Sequence, residues 1–166
     1  MARPVTLPQP PQPILEVVGY VLRFFDGRLR QYDATLAKFS DEFKQDPVYV
    51  LSWGESVASA AAHRQVFRMI HDSIQRNIVT EPDKPEESHL TTLHGLCDYA
   101  LGEVLRAARQ GGSRSTSAFE NRMQELIGVA WTEMYEFLRD TISSVEKERR
   151  DFGATRVTTE REATRA

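Results

Sequence analysis

The feature that most constrains this chain is an apolar stripe whose members recur at intervals of three and four residues. On the first helical segment the stripe consists of Ile14, Val18, Val21, Phe25, Leu29, Tyr32, Leu36, Phe39 and Phe43. Because an α-helix turns by about 100° per residue, side chains at this spacing lie on one face. Three further segments carry stripes of comparable length. The sequence therefore predicts an all-α protein with four long helices.

Helix-starting and helix-breaking residues set the expected boundaries of these segments. The predicted helices are 13–44, 47–79, 84–110 and 117–150. The connections between them are short, and short connections favour an antiparallel, up-down-up-down four-helix bundle spanning 13–152. In such a bundle, residues at matching heights share a layer. We therefore expect Phe39, Trp53, Leu105 and Met123 to lie in one layer near the first hairpin.

Local signals support these boundaries. Prolines at positions 13 and 47 suit the first turn of a helix. The Ser117–Glu120 pair has the spacing of a capping box, and Asp83–Glu86 has the same spacing with Asp in place of Ser or Thr. Proline recurs through residues 1–12, which predicts a flexible tail. Residues 153–166 are polar and aperiodic, which predicts disorder.

Composition indicates one soluble globular domain. The chain has 166 residues, 40% of them hydrophobic and 27% charged, and its net charge is −3. This charge argues against a protein that coats nucleic acid by bulk electrostatics. A single cysteine, Cys97, fits a reducing compartment and is expected to be a buried, inert thiol. The N-terminal residues lack the pattern of a signal peptide, and no apolar run would span a bilayer. We expect a cytoplasmic location.

Motifs that would indicate an enzyme are missing from the sequence. It contains no phosphate-binding glycine loop, CxxC, HExxH or GxSxG. A di-metal bundle needs inward glutamates on four helices and Glu-x-x-His on two of them. The one match, Glu86 to His89, lies at a helix start and is interpreted as capping and surface polarity. We therefore predict no enzymatic activity, cofactor or metal.

Two polar residues interrupt the stripe of the second helix. That stripe is Trp53, Val57, Ala60, Arg64, Phe67, His71, Ile74 and Ile78. Arg64 and His71 would face inward, and His71 would be level with His94 on the third helix. Three interpretations remain open. In the first, Arg64 reaches solvent from the edge of the stripe and His71 is a hydrogen-bonded core histidine. In the second, the two form a buried network that sets helix register, and in the third, Arg64, His71 and His94 bind a ligand or metal.

Two further groups of residues suggest contacts with other molecules. The first half of helix one carries apolar residues outside its stripe, and these form a predicted partner interface: Leu15, Val17, Tyr20, Leu22 and Phe24. A helix that is apolar nearly all round needs burial on more than one side. A group of basic residues could contact nucleic-acid phosphates if they share a groove: Arg23, Arg28, Arg30 and Arg68.

Function is less constrained than fold, because bundles host many activities. The favoured hypothesis is a non-enzymatic interaction or assembly module within a larger protein complex, with homo-oligomerisation plausible. One alternative is a small helical subunit of a nucleoprotein complex that contacts the nucleic-acid backbone through arginines. A further alternative is a ligand- or metal-binding bundle.

Overall fold

Four helices make up the described part of the molecule. The computed structural model describes residues 11–45, 54–110 and 117–165, and every regular element in these ranges is helical. The helices are α1 (Ile14–Gln45), α2 (Gly54–Ile74, continued by a π-helical turn at Gln75–Val79), α3 (Glu86–Gln110) and α4 (Ala118–Arg165). The all-α four-helix prediction is confirmed. The proline-rich tail up to residue 10, the predicted start of helix two at 47 and the glycines at 111–112 lie outside the described residues.

The chain reverses direction from each helix to the next. Arg64 of α2 pairs with Asp33 of α1, and His71, seven residues later on α2, pairs with Asp26, seven residues earlier on α1. The two helices therefore run antiparallel. Helices α3 and α4 do the same, since Arg149 near the end of the bundle meets Glu87 at the start of α3. We call the end where α1 and α3 begin the proximal end, and the opposite end the distal end.

The helices do not follow one another around the bundle in the order of the chain. The most extensive contacts join α3 to α4, α1 to α2, and α2 to α4, with a smaller contact between α1 and α3. Along the α2–α4 contact, Glu55 meets Arg122 and His63 meets Glu133, so these two helices are parallel. Helix α2 therefore packs mainly between α1 and α4.

The hydrophobic core is concentrated toward the proximal end. All five buried residues of α1 lie between Ile14 and Phe25. Before Ala60 on α2, beyond Ala100 on α3 and before Leu126 on α4, every described residue is at least partly exposed. Burial of one large aliphatic or aromatic side chain stabilises a fold by about 1.5–3 kcal/mol, so the proximal half holds most of the stabilisation from burial.

The inward face of α2 is rotated relative to the predicted stripe. Its buried residues are Ala60, Ala62, His63, Val66, Phe67, Ile70, Ile74 and, in the π-helical turn, Ile78. Val66 and Ile70 are each 1% exposed, whereas Arg64 and His71 lie at the edge of the helix that faces α1. Burying two aliphatic side chains is favourable, whereas burying an arginine costs several kcal/mol (order of magnitude) unless it is fully paired. This difference selects the rotated face.

Two of the predicted caps have different outcomes. The Ser117 hydroxyl accepts the Glu120 amide at 3.3 Å, as the capping box predicts. Glu86 does not cap its own helix; its carboxylate accepts the Ile14 amide at 3.4 Å and pairs with Arg149. Pro13, which precedes α1, has no side-chain acceptor, so a carboxylate from α3 supplies the cap and favours the positive end of the α1 dipole.

Helix α4 is longer than predicted. Residues from 153 onward were expected to be disordered, but the helix continues to Arg165. Extending an existing helix adds one hydrogen bond per residue without a new nucleus. Beyond Gly153 the segment also contains no proline or glycine that would end it. Lack of apolar periodicity therefore did not prevent this segment from forming a helix.

Candidate functional site

The contact between α1 and α2 carries two ion pairs. Arg64 donates from its Nε to the Asp33 carboxylate. The His71 ring lies between Asp26, at 3.3 Å from Nε2, and Asp72, at 3.1 Å from Nδ1, and its side chain is 17% exposed. Both polar residues are thus satisfied by carboxylates at the edge of the helix pair.

The two pairs share one spacing. Asp26 and Asp33 are seven residues apart on α1, and Arg64 and His71 are seven residues apart on α2. Positions seven apart lie on the same side of a helix, two turns from each other. Two ion pairs on one seam favour a single alignment of the two helices. This geometry supports the register-setting interpretation of Arg64 and His71.

His94 takes part in a different helix contact. Its Nε2 lies 3.0 Å from Glu146 of α4, and both side chains are nearly half exposed. His71 and His94 therefore belong to separate contacts, because α2 packs mainly on α1 and α4 while α3 packs on α4. Within the described ranges, no group of three or more His, Cys, Asp or Glu residues is placed to hold a metal ion.

The polar residue of α2 that does enter the core is His63, which was not predicted from the sequence. It is 7% exposed; its Nδ1 lies 2.8 Å from the Ser59 carbonyl oxygen and its Nε2 lies 3.2 Å from Glu133 of α4. The Tyr32 ring of α1 lies 5.6 Å from the imidazole, centroid to centroid. His63 thus joins three helices. The sequence signal for a buried His63 was its place among the closely spaced Ala60, Ala62 and Val66. Together these four residues define the rotated inward face.

Ser59, His63 and Glu133 have the composition of a hydrolase triad but not its hydrogen bonding. A triad histidine must accept the proton of the serine hydroxyl. The Nδ1 of His63 lies 2.8 Å from the Ser59 carbonyl oxygen and 3.4 Å from the Ser59 hydroxyl oxygen, so the backbone carbonyl is its nearer partner. The cluster is suited to joining α2 to α4 rather than to activating a nucleophile.

Neighbouring ionisable groups are consistent with a partly buried structural cluster. Burial raises the pKa of the Tyr32 hydroxyl, an effect that nearby Arg28 opposes and Glu133 reinforces. Burial, together with the adjacent Asp98 carboxylate, raises the pKa of the Cys97 thiol. A raised thiol pKa lowers the thiolate fraction, so Cys97 is a poor nucleophile, and it is buried as expected.

His89 is buried, contrary to its interpretation as a surface residue. It is 1% exposed, and neither ring nitrogen has a hydrogen-bond partner. An imidazole that loses its water contacts without replacement costs about 1–3 kcal/mol. His89 therefore occupies a core position of α3 at a cost in stability, while Glu86, its Glu-x-x-His partner, caps α1.

The four predicted nucleic-acid arginines have different local surroundings. Arg28 stacks over Phe24, whose ring faces Phe137 of α4. Arg30 lies two residues later, on nearly the opposite side of α1, and its Nε donates to the Asp26 carbonyl oxygen. Arg68 lies beside α1 on the outer part of α2. Arg23 is exposed near Gly19. The nucleic-acid interface through these arginines stays a prediction.

Three of the five residues of the predicted partner interface on α1 pack inside the bundle. Leu22 is 8% exposed, Val17 packs against the core, and the Phe24 ring stacks on Phe137 with 4.7 Å between centroids. Leu15 and Tyr20 stay exposed. The prediction of surplus apolar surface at this position is wrong for Leu22 and Phe24, because α1 uses a second flank to pack against α4.

Among the described residues, exposed apolar side chains also lie at the distal end. Phe39 is partly exposed, and Phe43, Leu105 and Phe119 are 51%, 51% and 71% exposed. We call these four residues the distal apolar face. Phe39 and Phe43 are neighbours, with ring centroids 6.3 Å apart. Phe39 and Leu105, predicted to be buried in one layer, are therefore partly and about half exposed, and Trp53, assigned to the same layer, lies outside the described residues.

Comparisons with known proteins add no family to this picture. No protein-family model, curated protein or solved structure matches the chain. Among the described helices, none has a stretch of sufficient length and hydropathy to cross a membrane. We therefore infer function from the geometry of the bundle.

Proposed function

We propose that this chain is a non-enzymatic helical module that takes part in a larger protein assembly through its distal apolar face. The observation that carries the proposal is the distribution of burial along α1. Its stripe is fully buried from Ile14 to Phe25 but ends with Phe43 about half exposed. Exposed aromatic side chains that lie beside one another, as Phe39 and Phe43 do, are typical of protein interaction surfaces.

The polar clusters support an interaction module over an enzyme. His63, His71 and His94 are each engaged with a carboxylate of a neighbouring helix. Such pairs position helices, and the Nδ1 of His63 lies nearer to the Ser59 carbonyl oxygen than to the hydroxyl that a serine nucleophile would use. These contacts give the bundle a fixed arrangement on which a docking surface can be carried.

The test compares substitutions at the two ends of the bundle. Tagged full-length chain, expressed at its native level in its own host, is briefly crosslinked and purified, and stoichiometric co-purifying proteins are quantified by mass spectrometry. We expect Phe43→Glu and Phe119→Glu to lose the bound protein and Tyr20→Glu, an exposed aromatic at the proximal end, to retain it. Loss with Tyr20→Glu and retention with Phe43→Glu would refute the distal location.

A second candidate function is ligand binding, favoured by an open groove between α1 and α2. The groove has a volume of about 420 Å³ and is lined by Leu36, Ala61, Arg64, Gln65, Arg68 and Met69. Arg64 is paired with Asp33, whereas Arg68 forms no ion pair with any described residue. An apolar floor beside an available guanidinium suits a small carboxylate with an aliphatic body.

Thermal unfolding with decanoate tests this candidate. A ligand that binds only the folded chain raises the melting temperature as its concentration increases. We expect decanoate to stabilise the wild type and the control Arg76→Gln, but not Arg68→Gln. Equal stabilisation of all three proteins would assign the effect to another site.

A further inference from the structure

The groove between α1 and α2 contains two guanidinium groups. Arg64 and Arg68 both line it. They are four residues apart on α2, so they lie on the same side of the helix, one turn from each other. Arg68 is exposed, and the side chain of Arg64 is 35% exposed. A ligand that enters the groove from solvent therefore meets two positive charges.

Arg64 has hydrogen-bond donors left after it pairs with Asp33. The pair is formed through Nε, and neither terminal nitrogen of Arg64 has an acceptor among the described residues. A guanidinium presents five N–H donors in a fixed plane. Because the Asp33 carboxylate holds one edge of that plane, the remaining donors are oriented before a ligand arrives, which lowers the entropic cost of binding.

Arg68 has no acidic partner in the described part of the chain. The carboxylate of Asp72, one turn later on α2, lies 3.1 Å from Nδ1 of His71. The neighbouring Gln65, which also lines the groove, is uncharged. Asp33 is thus the acidic partner of one of the two guanidinium groups, and the groove has an excess of positive charge.

We infer that the acidic group bound in this groove is a phosphate monoester shared by Arg64 and Arg68. The inference rests on the second candidate function, because it names the acidic group of that ligand. A carboxylate carries one charge, and its two oxygens are matched by one guanidinium. A phosphate monoester carries a charge of about −1.5 to −2 near neutral pH and has three acceptor oxygens. It can therefore accept hydrogen bonds from two guanidinium groups at once.

The remainder of the ligand is a short aliphatic body. Leu36, Ala61 and Met69 line the groove beside the arginines, and Met69 also packs against the hydrophobic core. Inorganic phosphate would contact the charged side of the groove alone. An alkyl ester of phosphate would also cover the apolar side, and burial of that surface adds to its affinity.

Isothermal titration calorimetry of the full chain with hexyl phosphate and heptanoate tests the inference. The two probes carry alkyl chains of equal length and differ in the acidic group. We expect hexyl phosphate to bind with a dissociation constant at least about fivefold lower than that of heptanoate. Arg64→Gln and Arg68→Gln should each raise this constant at least about fivefold, while the control Arg76→Gln should leave it within about twofold of wild type.

Asp33→Asn is the matched control for Arg64→Gln, since both variants break the same ion pair and only Arg64→Gln removes a guanidinium. Asp33→Asn should bind hexyl phosphate as tightly as wild type or more tightly, because it removes a nearby negative charge. Equal weakening by the two variants would assign the loss to the α1–α2 contact and overturn the role of Arg64. Circular dichroism verifies that each variant keeps its helix content.

A phosphate monoester can belong to a soluble molecule or to a lipid headgroup. Flotation of the full chain with phosphatidylcholine vesicles that contain phosphatidic acid separates these sources. Co-flotation that is lost in Arg68→Gln assigns the phosphate to a lipid headgroup. Binding of hexyl phosphate without co-flotation assigns it to a soluble ester.

The outcomes separate this inference from the second candidate function. If heptanoate binds as tightly as hexyl phosphate and Arg64→Gln affects neither, the groove takes a carboxylate through Arg68 alone, and the inference is overturned while the candidate function stands. If neither probe binds and decanoate does not raise the melting temperature, both are overturned. Binding of hexyl phosphate that Arg68→Gln leaves unchanged would place the phosphate at another site and overturn the inference.

Discussion

The proximal and distal halves of the bundle share one apolar pattern but not one environment. On α1 the same spacing runs from Ile14 to Phe43, yet Phe25 is 0% exposed and Phe43 is 51% exposed. The proximal half surrounds its stripe with α2, α3 and α4, whereas the distal half leaves part of it open. Periodicity therefore reports which face of a helix is apolar, and the neighbouring helices decide whether that face is buried.

The largest expected difference comes from truncating one phenylalanine in each half. Phe25 lies in an aromatic cluster with Phe24, Phe67 and Phe137, so Phe25→Ala should cost about 3–5 kcal/mol of unfolding free energy. Phe43→Ala should cost less than about 1 kcal/mol, because much of its ring is already hydrated. Urea denaturation at low protein concentration measures both. Similar losses would mean that the distal half has a core of its own.

A smaller effect is expected from the cap at the proximal end. Glu86→Ala removes the acceptor of the Ile14 amide and one partner of Arg149, and should cost about 1 kcal/mol. The distal Arg122→Gln, which breaks exposed pairs to Glu55 and Glu125, should leave the urea midpoint unchanged. A larger shift from Arg122→Gln would reverse the ranking of the two ends.

Removing the unpaired imidazole should stabilise the proximal half. His89→Leu replaces two buried, unpartnered nitrogens with an apolar side chain and should raise the unfolding free energy by about 1 kcal/mol. The control His94→Leu removes an exposed pair with Glu146 and should give no gain. Thermal melts distinguish the two. Destabilisation by His89→Leu would show that the imidazole has a partner in solution.

The smallest effects concern the ion pairs of the α1–α2 seam. A double-mutant cycle on Asp26 and His71 should give a coupling of about 0.5 kcal/mol, and one on Asp33 and Arg64, nearer the distal end, a similar or smaller value. Equal couplings would place both pairs within the rigid part of the bundle. A zero coupling for Asp33–Arg64 alone would extend the loosely packed region to that level.

Much of the fold could be predicted from the sequence because helix spacing is a local property. Four helices, the reversal of chain direction and the Ser117 cap all follow from residues close together in the chain. The lateral order of the helices depends on tertiary packing, which the sequence pattern does not contain. The inward face of α2 was therefore assigned to Arg64 and His71 rather than to His63 and Val66. That difference also explains why His71 and His94 do not meet.

The candidate site was harder to predict, because it depends on the helices that cover each residue. Leu22 and Phe24 have the composition of an exposed patch, and only the Phe137 ring of α4 shows that Phe24 is packed. Conversely, Phe43 and Leu105 belong to stripes that predict burial, yet both are exposed. Single-chain periodicity contains no information about where along its length a helix loses its neighbours.

The seven-residue spacing of the α1–α2 ion pairs also disfavours shifted alignments of these two helices. If the helices slide by four residues in one direction, Asp33 meets Arg68 but Asp26 meets the uncharged Gln75; in the other direction, Asp26 meets Phe67 and Asp33 meets Ala60. A slide of seven residues likewise leaves one carboxylate beside an aliphatic side chain, Ile78 or Val57. Of these alignments, only the native one satisfies both carboxylates, so the spacing of the two pairs favours it over the shifted ones.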